Sequence, residues 1–208
     1  MTSNVELHAR HLARLVTIHE EGQIEGHSER TEAVMRAVLT VLGEVHDLPE
    51  EARSWPLAML PHDLGKLVIP AEVLRKTTKI NAYERGLIVL HTLEGQDQIS
   101  WLAEQAAYQG NHSATHFWQL AALIAGGHHE RPDGAGYPLG LGGEAVPPVL
   151  RVARLVDVYE ALTARRAYRD SMSHEQAIRV MKYEEGGFDE DLLEALEEAM
   201  ARKRAVAG

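Results

Sequence analysis

Apolar residues recur along this chain at helical spacing. Between residues 5 and 20, Val5, His8, Leu12, Leu15 and His19 share one helical face, and residues 28–46 repeat the pattern with Thr31, Val34, Val38, Val41 and Val45. Both segments read as amphipathic helices. The run "LPEEARSWPLAML" opens on a Leu-Pro-Glu-Glu start signal, and Pro56 and Pro61 are expected to break or kink the helix it begins. Gly65 reads as a helix C-terminal stop. Residues 82–106 and 116–127 are helical by composition, separated by the polar patch "YQGNHSAT", which reads as a loop. The helical pattern returns from Val149 to Arg166. Two more helices are expected over 173–183 and 189–204, with Ser173 and Asp189 as capping candidates. With no strand of convincing length, no internal repeat and no low-complexity linker, the fold class is all-α.

Composition narrows the function. The chain has 208 residues, 45% hydrophobic and 25% charged, which fits one soluble domain spanning 1–208. It has no cysteine, so disulfides and thiolate metal ligands are excluded, as suits a reducing compartment. The start, "MTSNVELHARHLARLV", carries charges and histidines where a signal peptide needs an apolar core, and no later run approaches a membrane span. A cytoplasmic location is expected. A formal charge of -10 argues against a nonspecific binder of DNA or of anionic membranes, so an anionic ligand must meet a local positive site. Twelve histidines suggest where positive charge is recruited.

Several polar residues stand in apolar surroundings. His27 is in register with Val34, Val38 and Val41, and Asp157 lies in "LRVARLVDVYEAL" on the face of Leu150, Ala153 and Ala161. A buried carboxylate without a partner costs several kcal/mol, so something positive is expected beside it. His62 and Asp63 in "PHDLGK" precede Lys66; His91 follows "LIVL"; His128 and His129 end "LAALIAGG". Singly, each histidine is better read as a core or capping residue than as a ligand. Together, the histidines and aspartates supply the nitrogen and oxygen inventory of a metal site in a helical bundle. His112 and His116 in "HSATH" lack the glutamate of an HExxH site, Ser113 standing in its place, and read as surface residues. His8, His11 and His19 line an amphipathic helix, a candidate subunit contact.

The segments "GHSER", "HDLGKLVIP", "LHTLEG", "HHERPDGAGYP" and "RLVDVYEALTARRAYR", in this order, resemble the HD-GYP phosphohydrolases of the HD superfamily. The match covers nearly all of residues 20–170, and five separated motifs must agree for it to arise. The resemblance implies one helical-bundle domain, with an N-terminal helix (1–20), a metal-binding core (21–170), C-terminal helices (171–208) and a Gly/Pro-rich GYP loop. It implies a cyclic di-GMP phosphodiesterase, giving pGpG or GMP, that uses iron or manganese. The ligands carried over are His27, His62, Asp63, His91, His128, His129 and Asp157, with Asp63 bridging two ions. Some family members hold a third ion through a glutamate four residues before the first histidine; Gln23 stands there in this chain, so two ions are expected, with Glu20 and Glu21 nearby.

The chemistry agrees with that resemblance. Two divalent ions carry about +4 and two aspartates return about −2, leaving a focused positive centre in an acidic protein. Such a pair polarises phosphoryl oxygens and lowers the pKa of a bridging water for in-line attack. Lys66 would steady charge building on the phosphate, or is a surface lysine near a helix end. Gly134 and Gly136 let backbone pass close to a ligand, while Pro132 and Pro138 stiffen the loop. Arg131 either meets a phosphate or pairs with Asp133, and Tyr137 either stacks on a base or packs the loop. The family's RxYR/K segment, which contacts substrate phosphate, maps to Arg166 and Arg169; Arg165 reads as part of a solvated basic helix end.

Two departures from the family pattern stand out: a segment between His91 and His128 longer by roughly ten residues, at a loop tip where insertions are tolerated, and Pro61 before the His-Asp pair. The chain is expected to be either a free-standing hydrolase or the catalytic fragment of a longer protein. A phosphohydrolase of another nucleotide phosphoester stays open, as does a nucleotide sensor or adaptor that binds diguanylate cyclases through the GYP loop. Homodimer formation is a further expectation.

Overall fold

Apart from one isolated bridge between Asp133 and Gly142, every regular element of the computed structural model is helical; it describes residues 3–20, 26–164 and 171–207. The first helix, α1 (Ser3–His19), buries Val5, Ala9, Ala13 and Val16, while His8 and Leu15 face outward. The expected face was therefore displaced: Ala9 and Ala13 lie at its centre, between the buried Val5 and Val16, and Leu12 is only partly buried against the core. Helix α2 (His27–Val45) buries Val34, Val38 and Val41 as expected, with Met35, Leu39 and Leu42 beside them; Val45 is left exposed.

The proline-rich stretch folds differently from expectation. A 3-10 turn (Glu50–Ser54) runs into the short helix α3 (Trp55–Met59), and Pro56 sits in its first turn, where a missing N–H costs no hydrogen bond. It opens the helix rather than breaking it. Pro61 falls in the turn between α3 and a second 3-10 segment, Leu64–Val68. Gly65 lies inside that segment rather than at a helix stop. A Cβ there would stand 2.0 Å from the His91 carbonyl oxygen and 2.5 Å from the Gly95 nitrogen. Only glycine lets this backbone lie directly on the next long helix.

A single turn, α4 (Ala71–Leu74), leads to α5 (Ala82–Tyr108), whose start is closed by a reciprocal capping box between Asn81 and Glu84. Only residues 109–111 separate it from α6 (His112–Gly127), where Asn111 accepts the Ala114 N–H at 3.1 Å. Much of "YQGNHSAT" is thus helical, and the extra length between His91 and His128 forms a helical hairpin. Helix α7 (Pro148–Thr163) is followed by α8 (His174–Tyr183), capped by Ser173 as the sequence suggested and closed by Gln176 in return, and α9 (Glu190–Ala207). The Asp189 carboxylate takes Arg151 instead, at 2.9 and 3.0 Å. One apolar cluster runs through these helices, α5 packing along α6 and α2 against α7 and α9. Among the described residues, no helix is long and apolar enough to cross a membrane.

Candidate metal centre

Five segments bring their polar residues to one place. His27 opens α2, His62 and Asp63 lie in the turn after α3, His91 is in α5, His128 and His129 follow α6, and Asp157 is on α7. All are buried except His129, which is partly so. Two groups result, His27–His62–Asp63 and His91–His128–His129, with the donor atoms of each within 4.8 Å of one another.

The two groups meet at Asp63. Its Oδ2 faces His27 Nε2 at 3.6 Å and His62 Nε2 at 3.4 Å; its Oδ1 faces His91 Nε2 at 3.5 Å and His128 Nε2 at 3.9 Å. Asp157 spans the groups a second time, with Oδ1 3.3 Å from His27 Nε2 and Oδ2 4.0 Å from His129 Nδ1.

Hydrogen bonding fixes which nitrogen of each ring is available. His62 Nδ1 donates to the Met59 carbonyl at 2.8 Å, His91 Nδ1 to Ile88 at 2.5 Å and His128 Nδ1 to Ala125 at 3.0 Å. His27 Nδ1 is engaged by the Glu160 carboxylate. Each ring therefore turns its Nε2 inward, and these nitrogens meet at 3.3 Å (His27 with His62) and 3.4 Å (His91 with His128). Facing lone pairs repel unless a cation or a proton lies between them. Four imidazoles with their second nitrogen committed, interleaved with two buried aspartates, suit divalent cations of intermediate softness.

Electrostatics follow from this packing. Burial pushes His129 down to about 3 against the pull of Asp157, and His128 falls well below the ordinary imidazole range through burial and the neighbouring His129. For His27 the balance is reversed: burial opposes the charge, but Asp157 and Glu160 draw it up to about 10. Asp63 is held well below the usual carboxylate range, Lys66 and the histidines outweighing its burial. A cation entering among these carboxylates would displace the His27 proton, so its binding is coupled to proton release.

Lys66 Nζ stands 2.6 Å from Asp63 Oδ2 and 3.3 Å from Glu20 Oε1, facing a cleft of about 330 Å³ that Tyr137 and Ile88 also line. Those carboxylates raise the lysine's pKa against its burial. Tyr137 stacks on His129, ring centres 4.6 Å apart, so it packs the loop onto a site histidine. The Arg131 guanidinium bonds both Asp133 oxygens, at 2.8 and 2.5 Å, and also Glu184. Of the two sequence readings of Arg131, the ion pair is the one formed, and a phosphate would have to compete with two carboxylates for it. Gln23, Glu21, Arg165, Arg166 and Arg169 lie outside the described residues. His112 and His116 border a separate exposed groove with Glu50 and Glu51, away from the centre.

Two site carboxylates escaped the sequence reading. Glu160 is three residues after Asp157, a spacing that shares a helical face and could have flagged it. Glu130, fully buried, accepts the Leu139 and Leu141 N–H groups at 2.6 and 2.8 Å and so closes the loop that carries Tyr137. Nothing in the local sequence marks that role.

The sequence model of the HD domain matches residues 11–192. The chain is 33% identical over 198 residues to the cyclic di-GMP phosphodiesterase response regulator RpfG of Xanthomonas campestris, covering 95% of this chain and 48% of that protein. It is 39% identical over 135 residues to a probable cyclic di-GMP phosphodiesterase of Vibrio cholerae, covering 64% of this chain and 30% of the relative. Similarity to a 3′3′-cGAMP-specific phosphodiesterase of the same organism is 38% over 135 residues, 65% of this chain and 28% of the other. The chain thus spans less than half the length of each of these relatives.

Proposed function

The chain belongs to the HD domain family, and on that premise we propose that it is a metal-dependent phosphodiesterase hydrolysing cyclic di-GMP to pGpG or GMP. The observation that carries this reading is Asp63, which turns one oxygen to each histidine group. That arrangement suits two cations sharing one carboxylate. In this reading His27, His62 and Asp157 hold one ion and His91, His128 and His129 the other, with Asp63 between them; iron or manganese fits a donor set of imidazole and carboxylate. Bound there, the ions supply Lewis acidity toward a phosphoryl oxygen and acidify a water for attack on phosphorus.

The chain's own residues do the rest. The Nδ1–H hydrogen bonds hold the imidazoles so that no reorganisation is needed when charge develops. Lys66, kept protonated by Asp63 and Glu20, offers its ammonium to a phosphate oxygen in the cleft. Tyr137, Ile88 and Leu162 form walls that position the nucleotide and limit water. Arg166 and Arg169 are assigned the second phosphate on motif resemblance alone. The cyclic dinucleotide class comes from the relatives, which are named for cyclic di-GMP or for 3′3′-cGAMP.

The test is hydrolysis of both dinucleotides by protein purified without oxygen and loaded with ferrous iron or manganese, with products separated by chromatography. Faster turnover of cyclic di-GMP supports the proposal. Preference for 3′3′-cGAMP would move the substrate within the class, and binding without turnover in metal-loaded protein would point to a sensor.

A further inference from the structure

Three of the four inward-facing histidines fix their rings on their own chain. His62, His91 and His128 each donate Nδ1–H to a backbone carbonyl three residues back. His27 has no such acceptor within its helix, because it is the first residue of α2 and position 24 lies before the helix begins. Its Nδ1 is instead met by Glu160, which comes from α7 and is only 2% exposed. The other Glu160 oxygen accepts Arg30 Nε at 2.5 Å. Arg30 is one turn after His27, so a single carboxylate grips both residues of that turn.

From this geometry, and resting on the metal-centre reading above, we infer that Glu160 is a positioning residue: it holds the Nδ1–H of His27, so that the Nε2 lone pair faces Asp63 and Asp157 once a cation has displaced the proton there. It touches neither group's inward-facing atoms itself. A carboxylate acceptor also makes the ring a stronger donor through its far nitrogen, and Arg30 balances the charge this leaves on Glu160. Glutamine cannot repeat this grip, since the two partners sit on different carboxylate oxygens and only one of those positions would keep an acceptor oxygen. If that oxygen stays with Arg30, the amide N–H₂ points at His27 Nδ1 and favours the tautomer whose Nε2 carries a proton toward the centre.

The inference predicts a defect confined to one ion. The full chain, stripped of metal, is titrated with Mn(II) in competition with a fluorescent chelator, for wild type, Glu160→Gln and Glu160→Asp, with circular dichroism and Tm recorded on each. Wild type should take up two ions. Glu160→Gln should weaken one of them by about 10- to 100-fold and leave the other unchanged. Glu160→Asp keeps the acceptor chemistry on a shorter arm and should fall between. Unchanged affinity for both ions in Glu160→Gln, or equal weakening of both, would overturn the inference. Should Glu160→Gln not fold, unchanged binding by Glu160→Asp would do the same. If wild type binds no Mn(II), the metal-centre reading fails first, and the inference with it.

Discussion

Asp63 and Lys66 show how much a few side chains decide at the residue scale. Lys66 contacts Asp63 through its ammonium but belongs to neither histidine group. Replacing it with Met should therefore leave metal content intact while turnover falls about 100-fold, the usual cost of one lost transition-state donor. Metal analysis beside kinetics separates that outcome from loss of the centre. Glu130→Ala should act differently. It strips the acceptor from the Leu139 and Leu141 N–H groups, which should cost about 3 kcal/mol in urea unfolding and loosen Tyr137 from His129. Residues announced by motif, such as His62 and Asp63, were legible in the sequence. Glu160 and His27 are 133 positions apart, and no local pattern encodes which distant group a buried carboxylate will meet.

Elements set the distances among those residues. The Leu64–Val68 turn rests on α5 through Gly65, which brings Asp63 and Lys66 beside His91. Gly65→Ala should push the two apart, destabilise the protein by about 3 kcal/mol and lower its metal content. Asn81→Ala, at the far end of the capping box, should cost about 1 kcal/mol with the centre untouched. Thermal melts and metal analysis on both variants test the contrast. Long periodic helices such as α2 were readable because their β-branched and aliphatic stripe is wide. α1 was misphased because Ala9 and Ala13 carry little hydrophobic signal yet are the most deeply buried of its apolar residues. The role of Gly65 was hidden for a related reason: glycine reads as a stop locally, whereas here a neighbouring backbone requires it.

At the scale of the whole molecule, an acidic chain surrounds a buried cluster of bases, and its stability should track their titration. Burial keeps His91 and His128 below the ordinary range and His129 at about 3, so near pH 6.5 the unfolded chain takes up protons that the metal-free folded chain refuses. Their contribution is complete above that pH and is lost as pH falls through their lowered folded values, about 3 for His129. His27, at about 10, acts in the opposite sense: its contribution is whole below pH 6.5 and is lost as pH rises toward about 10. Melts in excess chelator should therefore give the highest Tm near neutrality and lower values at both about pH 5 and about pH 9. A Tm that does not fall between neutral and acid pH would contradict the packing of these rings.

If Asp63 joins two cations into one hydrolytic centre, its loss must empty the centre and silence it together, so ions and turnover have to be counted on the same sample. Wild type and Asp63→Ala, both loaded with manganese or ferrous iron without oxygen, are compared for ions per chain and for cyclic di-GMP hydrolysis. Wild type should hold about two ions and turn over, and the variant should hold fewer and show no turnover. Full occupancy and undiminished hydrolysis in Asp63→Ala would contradict a shared carboxylate at the centre.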